Sequence, residues 1–194
     1  MIQSRMVQPM RLQIHLPTWV GEFCARLPDS LDSPEERMRV AISLSEQNVV
    51  HDTGGPFGAL VVAADSDRVL AVGVNRVEAG NCSSAHAEIV ALSMAQQRLG
   101  QASLAGTSLG AVELVSSCEP CAMCLGAVPW SGVTSLLCGA TKADAEAAGF
   151  DEGDRSGEWI EQLARRGVSV HTGILRTVAA EVINRYRKLG RRIY

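Results

Sequence analysis

Apolar positions recur along the chain in two rhythms, and they predict alternating helices and strands. At "SPEE" a helix begins: Ser33 stands at the N-cap, Pro34 at the first helical position, and Glu36 reaches back, a capping box. Met38, Ala41, Ile42, Ser45 and Val49 follow at helical spacing, and Gly54-Gly55 ends the run. "FGALVVAA" is short and almost continuously apolar, the pattern of a strand buried on both faces. After the turn "DSDR", the returning strand "VLAVGVN" completes a hairpin. A helix over 85–99, capped by Ser83 or Ser84, precedes a third strand, "AVELVSS". That strand runs into Pro120, which opens a helix that Pro129 is expected to end. "VTSLLCGA" is a fourth strand, and Thr141 caps the short helix "KADAEAA". A loop "GFDEGDRSG", an amphipathic helix "EWIEQLARRG" and a fifth strand "VSVHTGIL" follow. The last helix carries Leu175, Val178, Ala179, Val182, Ile183, Tyr186 and Leu189 on one face.

Strands that alternate with helices after one hairpin imply an α/β domain. The expected architecture is three layers, α/β/α, with a five-stranded mixed sheet and helices on both faces. Residues 1–32 have no clean period and read as an N-terminal arm; residues 33–194 read as one domain, and the length suits a single core.

Composition and charge narrow the function classes. Hydrophobic residues make up 46% and charged residues 20% of the chain, as in ordinary globular proteins. A net charge of −3 provides no field for polyanions, so nucleic acid is not expected as a partner. Arg185, Arg187, Lys188, Arg191 and Arg192 form one local basic cluster, read as a solvated helix face rather than an RNA contact. No stretch reaches the ~20 apolar residues of a membrane helix. The first residues lack the apolar core of an export signal, so a cytoplasmic location is expected, where clustered cysteines indicate metal or catalysis rather than disulfides.

The candidate chemistry lies at two predicted helix starts. "HAE" spans His86 to Glu88, and "PCAMC" spans Pro120 to Cys124. Cys121 and Cys124 are one helical turn apart on one face, near the helix N-terminus, where unpaired N–H groups favour thiolate. With His86 as a third ligand the set suits Zn²⁺ and leaves one position for water. Glu88 is then free to take that water's proton. A closed structural zinc site with Cys118 as fourth ligand is the alternative. It is disfavoured because Cys118 precedes Pro120 and because it gives Glu88 no role. Histidine-x-glutamate followed by proline-cysteine-x-x-cysteine is the signature of zinc-dependent nucleobase deaminases.

At these residues the sequence resembles the cytidine deaminase superfamily, and more narrowly bacterial guanine deaminases. "GGPFGA", the region of Asn75, "HAE", "CEPCAMCLGAVPW" and "AAGFDEG" carry the resemblance, from Gly54 to Gly153. "HAEIVALSMAQ" with "VPWSGV" is similar to a subgroup that also acts on ammeline, an aminotriazine. The resemblance implies hydrolytic deamination of guanine to xanthine, with Zn²⁺ on His86, Cys121 and Cys124 and Glu88 as proton shuttle. It implies that Phe57 faces the purine, Asn75 binds its polar edge, Trp130 lines the pocket and Glu152, in preference to Asp151, is a second carboxylate. Plain core packing for Phe57, helix-end packing for Trp130 and a loop charge for Glu152 remain open. A homodimer acting on a small nucleobase or aminotriazine is also implied, with the C-terminal segment closing the site in cis or in trans. tRNA adenosine deaminases and cytosine deaminases share both zinc motifs. "ATKADAEAAGFDEG" sides with the guanine pattern. The rival from outside enzymology is a zinc-stabilised binding module.

Overall fold

In the computed structural model of the protein, which describes residues 9–193, the capping box at Ser33 forms in full. The Ser33 hydroxyl accepts from Glu36 N–H, and the Glu36 carboxylate accepts from Ser33 N–H. The helix it starts is α2, Pro34–Val50. In chain order the elements are α1 (Thr18–Cys24), α2, β1 (Gly58–Ala63), β2 (Arg68–Val74), α3 (Val77–Gly80), α4 (Ala87–Leu99) and β3 (Val112–Cys118). Then come α5 (Ala122–Ser131), β4 (Ser135–Ala140), α6 (Lys142–Ala148), α7 (Trp159–Ala164), β5 (Ser169–His171) and α8 (Arg176–Lys188).

The five strands form one sheet in the order β2-β1-β3-β4-β5. β1 pairs antiparallel with both β2 and β3, whereas β3–β4 and β4–β5 are parallel. This mixed sheet carries a core on each face. Leu60 and Val62 of β1 pack with residues of α2 and α8, and Ala59, Val61 and Ala63 pack with residues of α4. Alternate residues therefore serve opposite layers, which explains why the strand reads as a continuous apolar run.

Small residues bring the helices close. A Cβ on Gly73 of β2 would lie 2.3 Å from the Ala87 carbonyl oxygen and 2.4 Å from the Ala91 nitrogen. Helix α4 thus rests backbone to backbone on the sheet.

Several elements differ from the sequence pattern, among them the short α3, which it does not predict. Residues 18–24 form α1, and Val20 and Leu31 are buried in the core. Seven residues are too few to display a period, and Trp19 holds the helix by stacking on His51, with ring centroids 5.5 Å apart. Pro129 lies inside α5 instead of ending it, and the helix stops at its C-cap, Gly132. The fifth strand shortens to three residues, an edge with one neighbour. On α8, Val178 and Leu189 are exposed, and Ala179, Val182, Ile183 and Tyr186 form the buried face.

The basic C-terminal cluster turns to its own chain. Arg185 pairs with Glu46, Arg191 with Asp52 and Arg192 with Glu78, while Arg187 donates to the Ala147 carbonyl. Among the described residues no helix is long and apolar enough to cross a membrane.

Candidate active site

Strand register gathers the candidate residues at one end of the sheet. Phe57 precedes β1, Asn75 follows β2 and Cys118 ends β3; the pairings Gly58↔Val74 and Ala59↔Ser116 bring these ends together. It is the carboxyl end of the parallel strands, where α/β sheets place their ligand crevices. Helices α4 and α5 both begin there. His86 is the N-cap of α4 and Cys121 the N-cap of α5, both in extended backbone, and neither side chain caps its helix. The helix after β3 therefore starts two residues beyond the motif's proline, at Ala122, and His86 rather than a serine occupies the cap of α4. Both side chains are left for another partner.

Nδ1 of His86 lies 3.5 Å from Sγ of Cys121. The ligand atoms of His86, Cys121 and Cys124 all lie within 4.8 Å of one another. A tetrahedral zinc with Zn–S of ~2.3 Å and Zn–N of ~2.0 Å sets its ligand atoms about 3.5–4 Å apart, so the cluster fits such an ion with small adjustment. The thiols are primed unequally. A hydrogen bond from Cys124 pulls the Cys121 thiol down to about 4 against the opposing effect of burial, with His86 assisting. Cys124 is pushed up by that same bond and by burial. Burial lowers the His86 imidazole, but its bond to Cys121 and the charges of Glu88, Cys121 and Glu152 outweigh it and leave it raised. Cys118 stands outside the three-residue group. It is buried with Sγ 3.6 Å from the Thr141 carbonyl, and burial drives its thiol well upward.

Phe57, Asn75, His86, Glu88, Cys118, Glu119, Cys121, Phe150, Asp151 and Glu152 line one cavity of about 20 Å³. Larger grooves exist, of about 490 Å³ between α1 and α2 and about 320 Å³ beside α5 and α7, but neither contains the histidine–cysteine group. Chemistry rather than size picks out the site. Glu88 is 6% exposed, and burial raises its carboxyl, with the Cys121 charge adding to the effect. Glu152 is 7% exposed and is raised to about 8 by burial and by the charges of Cys121 and Glu88. Its carbonyl accepts the Ala122 N–H at 3.0 Å, an orphan donor of the first turn of α5, and this sets Glu152 beside Cys121. Asp151 is exposed, with its carboxylate accepting from Gly153 N–H.

Asn75 is 1% exposed. Its Oδ1 accepts from Val77 N–H, but its Nδ2 is buried with no partner among the described residues. An unmet buried donor costs ~1–3 kcal/mol, so a ligand acceptor is the natural complement. Phe57 meets Phe150 edge to face, with ring centroids 4.9 Å apart. Trp130 is not brought to this cavity. It is 77% exposed on the outside of α5, between two surface grooves, because the helix turns that residue away from the sheet.

Three residues of the cavity region escaped the sequence reading. Glu119 is buried and accepts from Arg155 Nη2 at 2.7 Å and from Lys142 N–H at 3.0 Å. Arg155 also lies over the Trp159 ring, 4.5 Å from its centroid. Phe150 forms part of the wall. Glu119 was readable from its place between Cys118 and Pro120, but its partner lies 36 residues away in a loop without pattern.

Residues 31–140 match the family described as cytidine and deoxycytidylate deaminase zinc-binding region. Guanine deaminase of Bacillus subtilis (strain 168) is 37% identical over 118 residues, covering 61% of this chain and 71% of that protein. The solved structure of guanine deaminase from Nitrosomonas europaea is similar at 45% identity with a TM-score of 0.87, covering 94% of this chain and 100% of that one. The structure of NE0047 in complex with 2,6-diaminopurine is similar at 46% identity with a TM-score of 0.88, covering 95% of this chain and 96% of that one. Its mixed sheet and helical layers are the cytidine deaminase-like α/β fold, and the chain belongs to the cytidine and deoxycytidylate deaminase family.

Proposed function

We propose that this protein is a zinc-dependent aminohydrolase that converts guanine and water to xanthine and ammonia, with ammeline as a second substrate and a homodimer as the working form. One observation carries the reading: the buried, unpartnered Asn75 Nδ2 and the Phe57 ring line the same cavity as His86, Cys121 and the buried carboxylates of Glu88 and Glu152. The guanine deaminase relatives and the diaminopurine-bound structural relative support a purine as guest.

A Zn²⁺ ion held by His86, Cys121 and Cys124 would supply water activation at neutral pH. The chain's own residues account for the remaining steps. Phe57 offers an aromatic wall to the base, and Asn75 Nδ2 donates to an acceptor on its polar edge. Glu88 takes the proton that the attacking water loses as its oxygen bonds to C2, then delivers it to a ring nitrogen. As the C2–N bond breaks, Glu88 takes the new hydroxyl's proton and Glu152 protonates the departing amine, which leaves as ammonia. Burial keeps a proton on the Glu152 carboxyl, as this role requires. A cavity of about 20 Å³ holds roughly one water, so entry of a base requires its walls to move apart.

Ammonia release from guanine, ammeline, adenine and cytosine tests the proposal. Guanine should be the fastest substrate, with ammeline measurable. Turnover of adenine or cytosine in preference to guanine, or no turnover at all, refutes it.

A further inference from the structure

Beyond the residues that line the cavity, a chain of hydrogen bonds, half-buried at Trp19 and Thr53 and fully buried at Asn48, runs from α1 to Asn75. Its centre is Asn48, on the last turn of α2 and fully buried. Asn48 Nδ2 donates to the Gly55 carbonyl at 2.9 Å and to the Asn75 carbonyl at 3.0 Å. Its Oδ1 accepts from the Thr53 hydroxyl at 2.8 Å. That hydroxyl oxygen in turn accepts from Trp19 Nε1 at 3.0 Å. Each polar atom of this buried amide therefore has a partner, so the amide can sit in only one orientation.

The chain reaches both residues assigned to the base. Asn75 N–H donates to the Phe57 carbonyl, and Phe57 N–H donates to the Gly55 carbonyl that Asn48 also holds. Gly54 lets the loop come this close: a Cβ there would stand 2.0 Å from the Asn75 carbonyl oxygen and 2.6 Å from Asn48 Nδ2. Arg76, the neighbour of Asn75, adds a second tie. It donates to the Thr53 carbonyl and to the His15 carbonyl. Trp19 and His15 both precede residues 31–140, which carry the family match.

We infer that Trp19, Thr53 and Asn48 are positioning residues, which fix Asn75 and Phe57 for the base and make the segment before residue 31 part of substrate selection. The inference rests on the proposed role of Asn75. Nothing in the chain of bonds reaches Glu88 or the cysteines, so its loss should weaken recognition and spare the chemical step.

A double-mutant cycle tests this, with KM and kcat for guanine measured on metal-loaded protein and thermal unfolding recorded for each variant. Thr53→Val keeps the shape and removes the hydroxyl. Trp19→Phe keeps a ring for His51 and removes the N–H. Each should raise KM about three- to tenfold with kcat within twofold, and each effect should shrink in an Asn75→Ala background, where only Phe57 remains to be positioned. Unchanged KM in both single variants, or the same change with and without Asn75, overturns the inference. A role limited to stability gives additive effects and a lowered unfolding temperature without the KM change. If Asn75→Ala itself leaves KM unchanged, the assigned role of Asn75 fails and the positioning inference falls with it. That outcome is distinct from one in which Asn75→Ala is costly and the other two variants are silent.

Discussion

Glu88→Gln isolates the proton transfer from the rest of the site. Gln matches Glu in shape, and the side chain is 6% exposed at the start of α4, so packing and helix position are retained. General acid–base catalysis contributes about 10²–10⁴-fold, or about 3–5 kcal/mol of barrier. The structure favours the upper half of that range, because no neighbour can substitute. Of the other carboxylates lining the cavity, Glu152 is raised by burial, Glu119 is engaged by Arg155 and the Lys142 N–H, and Asp151 is exposed and accepts from Gly153 N–H. His86, Cys121 and Cys124 are committed to one another or to a metal. The expected result is a loss of about 10³-fold or more in kcat for guanine, with zinc still at one per chain by elemental analysis and KM within a few-fold. Retention of a tenth of the wild-type kcat by a zinc-replete Glu88→Gln protein would show that Glu88 does not carry the proton.

Cys118→Ser should keep one zinc per chain and most of the activity, because its Sγ faces the Thr141 carbonyl; Cys121→Ser should lose both, and the reverse pattern would restore the closed four-ligand site. Arg37→Met should destabilise the fold by about 3–5 kcal/mol, because Arg37 Nη1 lies 2.7 Å from the buried Glu113 carboxylate, which would lose its cationic partner and keep only the Ser135 hydroxyl. At ~2–4 °C per kcal/mol, calorimetry should record a drop of roughly 6–20 °C, with partial recovery on adding Glu113→Leu. Asp144 caps α6 and pairs with Arg176 at 2.8 Å, and the Arg176 hydrogen bond holds its carboxyl well below the usual range. A depressed carboxyl stabilises above its unfolded value of ~3.9, and this contribution disappears as pH falls through the folded value. The gap in unfolding temperature between wild type and Asp144→Asn should therefore be constant near neutrality and narrow below about pH 4; a gap that widens on acidification contradicts the pairing.

The parts of this molecule written in local pattern were legible before the fold was known. The capping box at Ser33 and the cap at Thr141 need only a few consecutive residues each, and both form, the second as a full box with Asp144. The two-faced burial of β1 follows from its unbroken apolar run, and the grouping of His86 with Cys121 and Cys124 follows from two motifs at helix starts. What escaped depends on distance along the chain. α1 is held by Trp19 against Thr53 and His51, more than 30 residues away, and has no rhythm of its own. The Glu119–Arg155 pair joins the end of β3 to a loop. Trp130 sits next to a proline that the helix absorbs, so its direction depends on where α5 ends rather than on the motif that contains it.

Gly73 gives the fold an unusual fragility. It lies on β2 and touches nothing in the cavity, yet it allows α4, which carries His86 and Glu88, to lie directly on the sheet. A methyl group there cannot be absorbed by a flexible side chain, because the atoms it meets are backbone. The whole helix must slide, carrying Glu88 and His86 with it as a rigid lever. Displacement by ~1 Å is enough to cost ~10²-fold in rate. A survey of inactivating substitutions should therefore include this glycine on an outer strand, and its variants should fail as enzymes at temperatures where they are still folded.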